Sequence, residues 1–160
     1  MHMKHLLALW LLLVCACAAA QTPKPKPAPP AQEIKVEVLW YGVVGGDQGQ
    51  RQAPEQTDRV PARQGAEFGV IFAVTGAPPG SKLTLRQIAR YPAPGRRLPE
   101  SGKLQKTDEA DTECDVSEPC TTSYLIEARD EIIPGEWTLE LHYRGRKVME
   151  QKFYMRYEGV

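Results

Sequence analysis

The chain has 160 residues, with Lys plus Arg and Asp plus Glu balanced at 20 each, 42% hydrophobic residues and 4 cysteines. That balance excludes the basic surplus that drives nucleic-acid binding and the acidic surplus that would recruit a polycation. The length suits one domain with a real core.

Lys4 and His5 precede an uncharged run from Leu6 to Ala16, and Ala18-Ala19-Ala20 follows before Gln21. This is the three-part layout of a secretory signal peptide over residues 1–20. The apolar run is about half of the ~20 residues that span a bilayer, so it reads as a leader and not as a permanent anchor. Two cleavage readings compete. The alanines suit an ordinary signal peptidase acting before Gln21, whereas Val14-Cys15-Ala16-Cys17 resembles a bacterial lipobox, with Cys17 as the lipidated first residue. Loss of the leader removes Lys4 and leaves nineteen basic against twenty acidic side chains.

Residues 21–33 carry Pro23, Pro25, Pro27, Pro29 and Pro30 with Lys24 and Lys26 among them. Repeated proline favours an extended spacer without a core. The sandwich domain is expected over residues 34–160. Glycine and proline punctuate it about every ten residues, with no sustained helical period, the pattern of an all-β sandwich or barrel.

Ile34 to Val44 reads as a strand that begins with Ile34, Val36 and Val38 on one face. A polar stretch from Gly45 to Thr57 reads as a loop. The run from Ala66 to Val74 is the most apolar after the leader and reads as a central strand buried on both faces or nearly so. Strands are also expected at Lys82 to Tyr91, near Lys103 to Lys106, and at Thr122 to Ala128. The acidic stretch of Asp108, Glu109, Asp111, Glu113, Asp115 and Glu118 reads as a solvated loop. It contains no glycine after Gly102, which a calcium loop would need at its turn.

A hairpin closes the chain. Trp137, Leu139, Leu141 and Tyr143 alternate with Thr138, Glu140, His142 and Arg144, one face apolar and one wet. Burial of the four apolar side chains contributes roughly 6–12 kcal/mol, an upper bound because unfolded chains already hide some surface. Gly145 suits the tight turn, and Met149, Phe153, Met155 and Tyr157 continue the apolar face. The hairpin reads as the C-terminal edge of the domain, which then has about seven or eight strands.

The chemical inventory is thin. Cys114 and Cys120 form an even pair in a chain with a leader, which points to a disulfide in an oxidising compartment. Their spacing lacks the further ligands that zinc needs. His142 is the only histidine after the leader. A catalytic triad would need it as base to Ser81, Ser101, Ser117 or Ser123, none of which sits in a nucleophile elbow, so it reads as an exposed strand histidine. Arg96-Arg97 beside Tyr91 and Pro94 reads as solvated turn charge, with a clamp on an acidic ligand as the rival reading. No catalytic residue, cofactor-binding residue or metal ligand is assigned.

Trp40-Tyr41-Gly42, Val60-Pro61-Ala62-Arg63-Gln64-Gly65-Ala66-Glu67-Phe68-Gly69, Tyr91-Pro92, Asp130-Glu131-Ile132-Ile133-Pro134-Gly135-Glu136-Trp137 and Lys152-Phe153 together resemble the bacterial family called domain of unknown function 3859. Cys114 and Cys120 stand outside that pattern. The resemblance implies an immunoglobulin-like antiparallel β-sandwich and carries no activity. The expectation is an exported protein of the periplasm or cell envelope, a non-enzymatic binding or accessory module for an unidentified protein or ligand. No nucleic acid is expected as partner, and membrane contact is expected only through an N-terminal lipid. A small envelope hydrolase, or an inhibitor of one, is the rival class.

Overall fold

Alternation along each apolar run decides which residues face inward, and the long-range pairing of those runs builds two facing sheets. The computed structural model describes residues 33–45 and 54–157. The leader, Cys17 and most of the linker and of the first polar loop lie outside them. The strands are β1 (Lys35–Gly45), β2 (Arg59–Pro61), β3 (Glu67–Thr75), β4 (Lys82–Arg90), β5 (Arg96–Arg97), β6 (Leu104–Gln105), β7 (Thr107–Asp115), β8 (Cys120–Leu125), β9 (Gly135–Tyr143) and β10 (Arg146–Arg156). One short 3-10 turn, Arg129–Glu131, precedes β9. Seven strands are long; β2, β5 and β6 have only two or three residues and raise the number to ten among the described residues.

One sheet has the order β1-β3-β8, the other β2-β10-β9-β4-β7, and β5 pairs with β6 as a small ribbon. Pairing is antiparallel except between β10 and β2. β3 is central, as its apolar run implies, but its burial is one-sided. Phe68, Val70, Phe72 and Val74 are buried, while Ile71 and Ala73 on the other face are half-exposed. β1 carries a register shift between Val38 and Trp40, so the early alternation does not persist, and Leu39 points to solvent at 50% exposure.

The core fills with rings. Phe68, Trp137 and Phe153 are fully buried, and Tyr91 and Tyr124 nearly so. Centroid separations are 4.8 Å for Phe68–Phe153, 4.9 Å for Tyr91–Trp137 and 5.2 Å for Tyr124–Trp137. Tilted and edge-on aromatic pairs of this kind contribute about 0.5–1.5 kcal/mol each beyond the area they bury. The Trp137 Nε1–H donates to the Ile133 carbonyl at 2.9 Å, which satisfies the one polar atom the ring takes inside.

Three expectations about placement are corrected. The closing hairpin lies in the middle of the five-stranded sheet, not at an edge, because β4 pairs with β9 on one side and β2 with β10 on the other. Tyr157 leaves the apolar face and is 56% exposed, since it follows the last paired residue of β10. The acidic stretch is not a loop. From Thr107 to Asp115 it is a nine-residue edge strand in unbroken register with β4, where Leu85, Gln87 and Ala89 oppose Thr112, Ala110 and Asp108. Backbone hydrogen bonds to β4 and the burial of Cys114 outweigh the low strand propensity of its carboxylates.

Candidate functional site

Three groups of polar side chains are drawn together by this pairing. The first lies on the outer face of the hairpin. Glu140 is only 4% exposed there, because neighbours on three strands close over it. Arg90 reaches diagonally from β4 and donates two bonds to its carboxylate, at 2.8 and 3.0 Å. Lys147 approaches at 3.5 Å and also bonds Glu150, which stands directly opposite Glu140 on β10. Like charges in that position repel, and the lysine ammonium between them offsets the repulsion. The Arg90 guanidinium, helped by His142, holds the Glu140 carboxyl down to about 2 against the opposing effect of burial.

His142 is therefore not an exposed strand histidine. Its Nε2 lies 2.8 Å from the second Glu140 oxygen, and its side chain is 20% exposed. It lines a groove of about 330 Å³ with Thr84, Arg86, Ile88, Asp111, Arg144 and Gly145. No serine lines that groove. Ser81 donates to the Pro78 carbonyl, Ser117 accepts from Gly80, Ser101 from Lys103, and Ser123 donates to Glu67. The residues that a triad would require are thus dispersed over both sheets and several turns.

The second group lies where the 3-10 turn meets the core. The buried Glu131 carboxylate accepts from the Glu127 and Ala128 amides at 2.7 and 3.1 Å and receives Arg96 at 2.8 Å. Arg96 also bonds Asp130 at 2.7 Å, and its charge acts on the neighbouring Tyr91 phenol. Burial alone would weaken its charge, but those bonds raise its pKa, and the guanidinium in turn lowers that of Asp130. Arg96 is a structural anchor, which corrects the expectation of solvated charge. Arg97 does face solvent, with one bond to the Gly102 carbonyl. Beneath this group the Tyr91 and Tyr124 hydroxyls meet at 2.8 Å. Burial pushes both phenols up.

The third group is the side of the sandwich between β7 and β8, the edge strands of opposite sheets. A disulfide joins Cys114, near the end of β7, to Cys120, at the start of β8, with Cα atoms 5.5 Å apart. It closes the corner at which the chain changes sheets. Away from it the strands part around a cleft of about 210 Å³, lined by Gln87, Asp108, Glu109, Ala110, Ser123, Tyr124, Leu125, Glu127 and Glu131. Gln87 crosses from β4 to donate to the Ser123 carbonyl and accept from the Thr122 hydroxyl. The cleft is acidic, and Leu125, at 44% exposure, gives its rim an apolar patch. Among the described residues no cation lies within ion-pair distance of Asp108 or Glu127, and no cluster of His, Cys, Asp and Glu has a metal-holding arrangement.

Sequence reasoning missed the Arg90–Glu140 pair, the Tyr91–Tyr124 contact and the cleft. Glu140 sits at an ordinary polar position of the alternation, and nothing local says that a residue 50 positions earlier will bury it.

Two facing sheets, mostly antiparallel and closed at one corner by a disulfide, define an immunoglobulin-like β-sandwich. The chain belongs to the family described as "Domain of unknown function (DUF3859)", which it matches over residues 37–155. It is similar to an immunoglobulin-like protein from Pseudomonas aeruginosa, with 26% identity and a TM-score of 0.60, over 79% of this chain and 99% of that one. An alkylpurine DNA glycosylase from Pseudomonas fluorescens shares 13% identity at a TM-score of 0.46, and the match covers 30% of its length. No curated protein matches the chain at a significant level.

Proposed function

We propose that the protein is an exported, non-enzymatic binding or accessory module of the cell envelope. Export rests on the charged, apolar and small-residue segments of residues 1–20, and a tether on the proline-rich stretch that follows. The observation that carries the non-enzymatic part is the bonding of His142. The one histidine after the leader is turned to a buried carboxylate that Arg90 already clamps, so its role is to complete a hydrogen-bonded group on a packed sheet. Fold alone does not choose between binding and catalysis, and the family carries no activity to transfer.

The test is affinity capture of tagged protein from envelope extract, alongside a hydrolase substrate screen. Enrichment of a defined protein, glycan or lipid with no turnover is the expected result. Turnover that disappears in His142→Ala overturns the reading.

A further inference from the structure

β7 ends the five-stranded sheet, and among the described residues nothing pairs with its outer edge. The Glu109 amide donates to the Asp108 side chain at 3.0 Å and so is not used by β4. In an antiparallel ladder a residue that does not bond its partner strand turns both N–H and C=O the other way, and the direction alternates. Asp111 and Glu113 therefore present both backbone groups outward, and Glu109 presents its carbonyl, its N–H being taken by Asp108. Their side chains stand on the outer face of the sheet, opposite Ile88, Arg86 and Thr84. Arg86 meets Asp111 at 3.3 Å and Glu109 at 3.7 Å. Glu113 has no cation within ion-pair distance among the described residues, and the adjoining cleft adds Asp108 and Glu127.

A bare strand edge is a template for another strand, and carboxylates along it select what can dock. A second copy of β7 would set carboxylate against carboxylate, whereas a strand with lysine or arginine at alternate positions would set opposite charges face to face. We infer that the β7 edge is the docking site of an extended basic peptide segment, which adds to the sheet as a further strand beside β7. One basic side chain would lie with its aliphatic stem over Leu125 and Ala110 and its charged end at Asp108 and Glu127. The inference rests on the binding-module reading and names its surface.

The probe is a peptide of about seven residues in which lysine alternates with valine and threonine, titrated into the full chain by fluorescence anisotropy. Controls are the same peptide with glutamate for lysine and a version N-methylated along the edge-pairing side. Saturable binding is expected, weakened at least tenfold by N-methylation, by the glutamate peptide and by Asp111→Lys/Glu113→Lys, and less by Asp111→Asn/Glu113→Gln. Unchanged melting temperatures establish that the variants fold. Lysine-peptide binding indifferent to N-methylation reduces the effect to general charge attraction and overturns the inference. Absence of binding overturns it too, as does a concentration-dependent dimer that the double lysine variant abolishes. If envelope capture still enriches a partner equally with wild type and the double lysine variant, the module reading stands and the β7 edge falls.

Discussion

Arg90 and Glu140 meet across β4 and β9 through two charged hydrogen bonds on a face of the sheet that the alternation alone would leave to solvent. Arg90 is half-exposed while Glu140 is buried, so the pair holds a carboxylate inside at the expense of a partly hydrated guanidinium.

The pH dependence of stability follows from this pair. The ordinary carboxyl value of 4.5 falls to about 2 in the folded protein, so the unfolded chain binds its proton first as pH drops. The stabilisation is complete above the unfolded value and disappears as pH falls through the folded one. Urea unfolding is expected to show a loss of about 2 kcal/mol between about pH 7 and about pH 3 from this group. Arg90→Met should flatten that dependence and cost about 2 kcal/mol near neutrality, because Glu140 stays buried without its main partner. An unchanged pH profile in the variant would contradict the assignment.

The Tyr91–Tyr124 contact makes the opposite statement at high pH. Burial favours both neutral phenols, so folding opposes their ionisation, and the stability they add is lost as pH rises through their raised values. Of the 6 tyrosines, two should fail to ionise near pH 10 in an ultraviolet titration and should appear only with unfolding. Tyr124→Phe should cost about 1 kcal/mol, because it removes the hydroxyl that pairs with Tyr91.

Reduction of the Cys114–Cys120 bond frees a loop with a sequence separation of 6. The chain-entropy estimate for so short a loop is about 2 kcal/mol. The denaturation midpoint should fall on reduction, and the double alanine variant should match the reduced protein. A midpoint insensitive to reductant would show that the corner holds without the bond.

Gly69 in β3 tests why the Gly65-Ala66-Glu67-Phe68-Gly69 stretch has a glycine at its end. A Cβ there would stand 2.3 Å from the Thr122 carbonyl oxygen and 2.8 Å from Ser123 Cα. β8 lies too close for any side chain, so Gly69→Ala must push it away from the centre of its sheet. A loss of about 1–3 kcal/mol is expected, measured by thermal unfolding, with Gly145→Ala as a milder comparison that meets no atom but strains a positive φ.

β9 and the start of β1 were legible because each carries its own two-residue period, β3 because of its apolar run, and the tight turn because Gly145 suits the positive φ that it takes there. β7 was not legible. Its inward residues are Asp108, Ala110, Thr112 and Cys114, a weak apolar signal beside Glu109, Asp111, Glu113 and Asp115. Its strand character comes from β4, paired from Arg90–Thr107 to Lys82–Asp115, and cannot be read within its own window. Arg96 was misread for the same reason, since Asp130 and Glu131 reach it only through the fold.

The sequence by itself determined the all-β class, the inward face of β9 and the family, because alternation and turn chemistry act over a few neighbouring residues. Only the tertiary structure decided that the closing hairpin is central, that β7 lies at an unpaired edge among the described residues, and that Glu140, Arg96 and the two tyrosines are held inside. Those outcomes depend on pairings between distant segments. Burial converts an ordinary polar position into a costly one only after the partner strand is in place.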